Sequence, residues 1–430
     1  MRGRLNLFQA TMLRWRELHP YNAVHAVRVD APLDAERLAR TVNGVLEARG
    51  LAGLVLDPAR GRYEYAGGAA RVALEILPGD NDPVRVLEAA IERGVNLRFA
   101  PAGPLDPFRF FAVDAGAAHY LGVAYDHVVA GGDSIVDLLA EIVLRDAGAT
   151  LPARAAPSLY PPTCSRLFAR HGLALLRGLA AMPGAIASLR RSQRPRYRYG
   201  DDQRNAFASA TIGAEGVAAM RRAAAAWGVT RADLLLALLL RALAPVVGRE
   251  GDGRRRREIG VATIVNLRRD FGTPVGATFG QFLSSYRYAH RVPEGARLES
   301  LARDLHVETA RVRRRKLYLV TLLALAGVGA LWRWLTPRRR ARVYSKHYAA
   351  WAGLTPLDVD ALWREAGAGH PPAAYLRAVS TGPATPLVVA ASSAGNELHL
   401  GLSYRTAAFH PDDIVRILTA LKAGVQELDA

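Results

Sequence analysis

The chain has 430 residues, more than a single hydrophobic core usually supports, so we expect two domains that share an interface. Half of the residues are apolar and 22% are charged, which excludes an intrinsically disordered protein. The single cysteine, Cys164, excludes an intramolecular disulfide framework and a cysteine-rich zinc site.

The formal net charge of +18 comes almost entirely from arginine. Scattered surface arginines are usually solvated, so the informative feature is their clustering at 254–257, 311–316 and 338–342. Such clusters favour polyanions or anionic lipid surfaces as partners. Nucleic acid ranks last among the partners considered, because the clusters lack interleaved aromatic residues and a recognisable reading helix.

The first twenty residues contain charges but no continuous apolar core and no small-residue cleavage site, so a secretory signal is not expected. A reducing compartment also suits a chain with one cysteine. We therefore predict a cytoplasmic protein.

The first half of the chain alternates predicted strands and helices. Residues 22–30 alternate apolar and polar side chains as a half-buried strand does, and 33–50 carry apolar residues at helical spacing. Residues 107–113 and 118–127 are predicted as two strands, and 134–148 as a helix. This order predicts a mixed α/β domain.

A proline-rich connector follows from about residue 150, and then an apolar and basic helix. We place the first domain at 1–185, a linker at 186–205 and the second domain at 206–430.

The second half repeats this order of elements without visible sequence identity. Helices are predicted at 213–228, 230–248 and 411–428, the second of them capped by Thr230. Strands are predicted at 205–212, 258–268, 385–395 and 397–405.

His127 ends a predicted buried strand, just before Gly131, Gly132 and the start of a helix. A rigidly held imidazole, with an unperturbed pKa of about 6.5, can take a proton from an alcohol, amine or thiol at neutral pH. The glycines allow a sharp turn and leave room for a substrate. From these residues alone, a buried structural histidine is an equally good interpretation.

Residues 126–134, DHVVAGGDS, resemble the HHxxxDG motif of the chloramphenicol-acetyltransferase-like acyltransferase superfamily. That superfamily includes condensation domains, wax ester synthase/diacylglycerol acyltransferases and plant BAHD enzymes. Looser similarities at 265–286, 379–383 and 398–409 extend the resemblance over nearly the whole chain. It implies an α/β fold of two similar subdomains forming a V, with an interdomain active-site tunnel that the acyl thioester and the acceptor enter from opposite faces.

Position by position, the resemblance implies that His127 is the catalytic general base. Gly132 matches the last glycine of the motif, whose amide lies near the reaction centre. Asn266 and Arg268 match residues of the second subdomain. Gln281 stands at a position where the superfamily has an asparagine, and the side-chain amide of Gln281 could still donate a hydrogen bond there.

Two motif positions depart from the superfamily: Asp126 replaces the first histidine, and Gly131 replaces the aspartate. In the superfamily that aspartate pairs with a bracing arginine, for which Arg268 is the candidate here. Asp133 and Asp126 are both candidates for the replacement carboxylate, since a buried charge left alone is costly. Ser134 falls at a predicted helix start without the GxSxG elbow, so we interpret it as an N-cap and not a nucleophile.

The resemblance implies transfer of an acyl group from acyl-CoA or a phosphopantetheinyl acyl carrier protein to a hydroxyl or amine, with no bound cofactor. The other histidines show no metal-ligand spacing, so no metal site is predicted. Because the motif is altered, a second hypothesis stays open: a catalytically silent protein of the same fold that binds a carrier protein or lipid.

Residues 317–332 carry no charge and form the most hydrophobic stretch. As a helix they would extend roughly 24 Å. A helix that crosses a bilayer needs ~20 residues, which is more than this stretch has. Because basic clusters also flank both of its ends, we predict that it does not span a membrane. Two interpretations stay open: a buried helix of the second domain, or an apolar face that lies in a membrane interface or lines an acyl-chain channel. The second would place the protein at an anionic membrane surface as a peripheral protein.

Overall fold

The computed structural model describes residues 1–150, 158–159, 164–198, 202–249, 256–272, 277–292, 295–367 and 369–428. Most of the proline-rich connector, half of the arginine cluster at 254–257 and part of the similar segment at 265–286 lie outside the described residues.

The first half contains the strands and helices predicted between residues 22 and 148, together with short strands and a helix at 83–95 that were not predicted. Its elements are β1 (Arg2–Arg4), α1 (Leu7–Leu18), β2 (Asn22–Val29), α2 (Ala35–Ala48), β3 (Leu54–Asp57), β4 (Arg62–Tyr65), β5 (Leu74–Pro78), α3 (Pro83–Val95), β6 (Gly103–Leu105), β7 (Phe108–Asp114), β8 (His119–Asp126), α4 (Gly132–Asp146), β9 (Ser158–Leu159), α5 (Cys164–Arg170) and α6 (Gly172–Arg191).

The second half likewise contains every predicted strand and helix. Its elements are β10 (Asn205–Ile212), α7 (Ala214–Trp227), α8 (Arg231–Arg249), β11 (Ile259–Asn266), α9 (Arg268–Phe271), β12 (Thr278–Phe279), β13 (Leu283–His290), α10 (Leu298–Arg315), α11 (Tyr318–Leu331), a 3₁₀ turn (Trp332–Trp334), α12 (Pro337–His347), β14 (Ala352–Asp358), α13 (Val359–Glu365), β15 (Tyr375–Val379), β16 (Leu387–Ala394), β17 (Glu397–Arg405) and α14 (Pro411–Gln426).

Two sheets organise the halves. The first has the strand order β15-β2-β8-β7-β5, and the second has the order β10-β17-β16-β14-β11-β13. Strand β15 comes from the second half of the sequence, yet it pairs antiparallel with β2 and places Arg377 opposite His25. The two α/β halves are therefore joined through a shared sheet.

The segment that carries the histidine motif lies in the core. Seven of the eight residues of β8 are buried, and α4 has a continuous buried run from Asp133 to Ile142. A strand and a helix that are buried on most sides hold the connecting loop, 127–131, in a fixed position.

Two helix starts test the predicted caps. The Thr230 prediction is confirmed, because its Oγ1 accepts a hydrogen bond from the Asp233 amide at 3.2 Å. The Ser134 prediction is wrong: α4 begins at Gly132 with Gly131 at the N-cap. Ser134 lies inside the first turn, where its hydroxyl is used in contacts with the second half.

Helix α6 extends to Arg191 and so covers the start of the predicted linker at 186–205. The chain also returns to the first sheet through β15. The domain limits at 1–185 and 206–430 stay a prediction.

The apolar stretch 317–332 forms α11 and the beginning of the 3₁₀ turn. One face of α11 is buried through Tyr318, Leu319, Leu322 and Leu325, while Leu331 at its end is 61% exposed. Within the described residues, α6 is the one helix whose length and composition would allow it to cross a membrane. Two bent helix pairs, α7 with α8 and α10 with α11, reach the same criterion if each pair is counted as one span.

Candidate active site

A cavity of about 190 Å³ lies between the two halves, and His127 forms part of its wall. The first half contributes side chains of α1, β2 and β8, and the second half contributes side chains of β11, β13, α11, β14 and β15. The imidazole is 6% exposed. The predicted base therefore lies at the junction of the halves; entry of the two substrates from opposite faces stays a prediction.

Hydrogen bonds fix the tautomer of His127. Its Nδ1 lies 3.2 Å from the Ala130 carbonyl oxygen and 3.3 Å from Gln281 Nε2. The two hydrogens of Gln281 Nε2 are used by the carbonyls of His127 at 2.9 Å and Ala130 at 3.2 Å. Nδ1 is thus left to donate to Ala130, and the lone pair lies on Nε2, which has no hydrogen-bond partner among the described residues.

The surroundings of His127 keep its ring neutral. Burial lowers the pKa of His127 to about 4; the Ala130 carbonyl opposes this shift and the positive charge of Arg377 adds to it. At neutral pH the ring is unprotonated, which is the form that can accept a proton from a substrate.

An ion pair across the halves braces the loop. Arg268 Nε donates to the Asp133 carboxylate, and both side chains are buried. Asn266 Nδ2 donates to the same carboxylate at 2.9 Å, and Arg268 Nη2 donates to Ser134 Oγ at 2.7 Å. The backbone also crosses the junction, since the Gly131 amide donates to the Gly280 carbonyl at 2.9 Å.

The position of Asp133 explains why residue 131 is a glycine. A β-carbon on Gly131 would lie 2.9 Å from Asp133 Oδ1 and 3.0 Å from Gln281 Oε1. The Asp133 carboxylate therefore occupies the space beside residue 131, and it meets the arginine that the resemblance assigned to the motif aspartate. Compared with the superfamily motif, the carboxylate that contacts this arginine lies two positions further along the chain.

Asp126 is not the carboxylate that pairs with Arg268. Its carboxylate pairs with Arg16 of α1, inside the first half. Its Oδ1 accepts a hydrogen bond from the Val128 amide at 3.2 Å. Burial raises the pKa of Asp126, and Arg16 opposes that shift. Of the two candidate carboxylates, Asp133 is the one that contacts Arg268.

The structure thus brings His127, Gly131, Gly132, Asp133 and Ser134 together with three residues of the second half, Asn266, Arg268 and Gln281. No group of three or more His, Cys, Asp or Glu side chains that could hold a metal ion occurs in the described ranges.

Solved structures with the same architecture cover the entire chain. The first condensation domain of the calcium-dependent antibiotic synthetase, in complex with a substrate analogue, superposes with a TM-score of 0.71 and 18% identity over 100% of this chain and 97% of that domain. The chain has the fold of a condensation domain.

Two further condensation-type structures agree. The EpoB cyclization-docking bidomain from Sorangium cellulosum gives a TM-score of 0.70 at 13% identity, covering 100% of this chain and 84% of that one. A mutant starter condensation domain of rhizomide synthetase RzmA, in complex with C8-CoA and Leu-SNAC, gives 0.66 at 13% identity, covering 100% and 95%. No family model matches the chain, and no curated protein matches its sequence.

Condensation domains belong to the chloramphenicol-acetyltransferase-like superfamily, so the predicted α/β fold of two similar subdomains is confirmed. Identities of 13–18% show a common fold and leave function to be argued from the site.

Two side chains of this condensation-domain fold that line the cavity were not predicted as functional residues: His25 and Arg377. His25 lies on β2, where its Nδ1 is 2.7 Å from the Tyr375 hydroxyl, and burial lowers its pKa well below the ordinary value. The sequence shows His25 inside the predicted strand 22–30, but a histidine in an alternating strand usually has only a structural role, so the pattern did not indicate a functional residue.

Proposed function

We propose that this protein is an acyltransferase that moves an acyl group from a thioester of coenzyme A or of a carrier protein to a hydroxyl or amine. One observation carries the proposal: a neutral His127, with the Nε2 lone pair unused among the described residues, in the wall of a cavity between two α/β halves. The fold supports it, because condensation domains form amide or ester bonds.

The proposed step is a direct transfer. His127 Nε2 takes the proton of the acceptor O–H or N–H as the acceptor oxygen or nitrogen attacks the thioester carbonyl. The tetrahedral intermediate then expels the sulfur, which receives the proton from the imidazolium and leaves as a thiol. The products are an ester or amide and the free thiol, without an acyl-enzyme intermediate.

Charge on the intermediate has a candidate stabiliser in the start of α4. Gly132 is the first residue of this 15-residue helix and lines the cavity. The amides of a first helical turn lack intrahelical partners and lie at the positive end of the helix dipole, so they favour a developing oxyanion. The Asp133–Arg268 pair holds that turn in place.

The donor can be tested without knowing the natural substrate. The rhizomide starter domain is in complex with C8-CoA and Leu-SNAC, so the experiment offers acyl-CoAs of several lengths and an acyl carrier protein, each with medium-chain alcohols or amines. We expect thiol release that depends on the acceptor and yields an ester or amide. Release from no donor would instead favour the silent protein of the same fold that binds a carrier or lipid.

The excess of positive over negative charge lies in two stretches of sequence, and this bears on where the protein works. Residues 147–200 and 309–357 contain 20 of the 57 basic residues and none of the 39 acidic ones. The rest of the chain holds 37 basic and 39 acidic residues, a formal charge of −2. The two stretches are neighbours in the fold, because Gly178 of α6 packs against Val320 of α11.

The same stretches carry most of the exposed large apolar side chains. Among the described residues, seven of twelve such side chains belong to them: Leu173, Leu176, Leu179, Met182 and Ile186 on α6, and Leu331 and Trp334 near the end of α11. We call the exposed residues of α6, α11, the 3₁₀ turn and α12 the cationic face. Neighbouring elements that expose both apolar and basic side chains are typical of proteins that rest on anionic lipid.

We therefore propose a cytoplasmic protein that is peripheral at an anionic membrane, with α6 lying in the interface. Arg177, in the middle of α6, is exposed, and one side of α6 packs on α11. Both observations favour a helix that lies in the membrane interface over one that crosses the membrane. Near an anionic surface each basic side chain contributes about 1 kcal/mol. A membrane position suits a long-chain acyl donor or a lipid-like acceptor.

Vesicle co-sedimentation tests the cationic face. We expect binding to phosphatidylglycerol-containing vesicles, little binding to pure phosphatidylcholine, and weakening by salt. Leu176→Asn combined with Trp334→Ala should reduce binding about tenfold or more. The matched control, Val84→Asn with Val415→Asn, replaces exposed apolar residues outside the face and should bind as the parent does.

No vesicle binding would contradict a membrane-facing surface, and equal binding to both vesicle types would contradict its preference for anionic lipid. A parent protein that forms a dimer which the Leu176→Asn, Trp334→Ala variant loses, without any vesicle binding, would assign the face to a second copy of the chain.

A further inference from the structure

Arg377 of β15 is a buried cation in the wall of the candidate active site. The side chain is 3% exposed and lines the cavity that contains His127. Its Nε donates to Ser392 Oγ at 2.8 Å, and its Nη2 donates to the carbonyls of Thr355 at 2.7 Å and Ala391 at 2.9 Å. These contacts orient the guanidinium but supply no negative charge.

No carboxylate pairs with Arg377 in the described part of the chain. Burial lowers the pKa of Arg377 to about 10, and the tyrosines Tyr375 and Tyr125 oppose that shift. The group thus stays charged at neutral pH. Among the described residues three other arginines are as deeply buried. Two of them have carboxylates, since Arg49 contacts Asp137 and Glu141 and Arg268 contacts Asp133. The third, Arg405, lies outside the cavity lining and donates to Gln203 Oε1 at 2.8 Å and to the Gly382 carbonyl at 2.6 Å.

The unused end of the guanidinium faces the reaction centre. Arg377 Nη1 has no hydrogen-bond partner among the described residues and lies 3.4 Å from where a β-carbon on Gly132 would be. His25 Cε1 lies at the same distance from that point. Nη1 is therefore directed at the start of α4, where the cavity meets the motif.

A buried cation without a counter-ion is destabilising, whereas the same cation beside a bound anion forms a charge-assisted hydrogen bond. A planar guanidinium with two free N–H groups on one nitrogen suits a carboxylate oxygen. A role in binding a substrate anion explains why the fold keeps this charge in the cavity wall without a paired carboxylate.

We infer that Arg377 binds the carboxylate of a substrate, so that one of the two reactants is a carboxylate-bearing molecule such as an amino acid or a dicarboxylic acyl group. This inference rests on the proposed acyl transfer and specifies its substrate class. The carboxylate binds beside Gly132, close to the carbonyl that His127 and the start of α4 act upon.

Product-like ligands test the inference without turnover. N-hexanoyl-glycine carries the carboxylate on the acceptor side, adipic acid monomethylamide carries it on the acyl side, and N-hexanoyl-glycinamide is the neutral match. Calorimetric titration of the parent should give binding of one acid about tenfold or more tighter than the amide. Which acid binds tells which reactant carries the charge.

The Arg377→Gln variant should lose this preference, with the dissociation constant of the acid rising about 10- to 100-fold and that of the amide unchanged. Arg377→Lys keeps a charge and should be intermediate. His127→Ala should keep the preference, so a failure of the proposed base and a failure of this inference give different results.

Three outcomes would overturn the inference: a parent that binds acids and amide equally, a parent that binds neither acid, or an Arg377→Gln variant that loses acid and amide alike. The preference of the parent needs no variant, so the first two outcomes are readable even if Arg377→Gln fails to fold. Equal loss of both ligands would assign Arg377 to stabilising the oxyanion or the cavity wall.

Discussion

Replacing Asp133 with alanine should lower the free energy of unfolding by about 3–5 kcal/mol. Arg268 would remain buried, at 5% exposure, with its charge uncompensated. Its guanidinium is also fixed by the Thr278 carbonyl at 3.0 Å and by the ring of Phe282, whose centroid is 4.1 Å away. Because the arginine cannot move to water, the loss appears in full, and urea denaturation measures it.

The matched control is Glu75→Ala, which removes a carboxylate from an exposed pair with Arg93 and should cost no more than about 1 kcal/mol. Returning the carboxylate to the motif position tests the geometry more closely. The double variant Gly131→Asp, Asp133→Gly should be more stable than Asp133→Gly alone, whereas Gly131→Asp alone should be destabilised by crowding against Asp133 and Gln281. If Asp133→Ala lowered the free energy of unfolding no more than the control does, the claim that the Asp133–Arg268 ion pair braces the loop would be contradicted.

Much of the fold was predictable because local patterns and global fold agree. The alternation in 22–30 and 118–127 predicted β2 and β8, and the helical spacing in 230–248 with its threonine cap predicted α8. The short strands β3, β4 and β6 were missed, since three or four residues carry too little periodicity to be recognised. Longer elements were not predicted either: α3, α10, β13, β14 and β15.

The candidate site was predictable only where a motif was contiguous. His127 and the glycines were found because they stand together, but the partner of Arg268 was left between two aspartates. The structure pairs Arg268 with Asp133, which lies 135 positions away in the sequence, and pairs Asp126 with Arg16. A contact over that distance in sequence leaves no local pattern. Arg377 and His25 come together only through the pairing of β15 with β2, which no local pattern encodes.

His127→Ala should lower kcat/KM for acyl transfer by about 10²- to 10⁴-fold, the usual contribution of a general base. The pKa of about 4 adds a second signature. The protonated ring cannot accept a proton, so the parent should keep its rate from neutral pH down to about pH 5 and lose it below, as the imidazole is protonated. A rate that instead falls around pH 6.5 would indicate an unshifted histidine.

His290→Ala serves as the control, because His290 is a histidine of β13 that lies outside the cavity lining and pairs with Asp304 at 3.3 Å. It should leave kcat/KM and the pH profile unchanged. Folding of both variants is compared by thermal unfolding, since removing a buried imidazole leaves a space.

The most direct measurement is thiol release and product formation from one acyl thioester and one acceptor, compared between the parent, His127→Ala and His290→Ala. The account predicts equal amounts of thiol and ester or amide from the parent and His290→Ala, and release near the uncatalysed rate from a folded His127→Ala. Equal turnover by the parent and His127→Ala would contradict the claim that this imidazole performs the transfer.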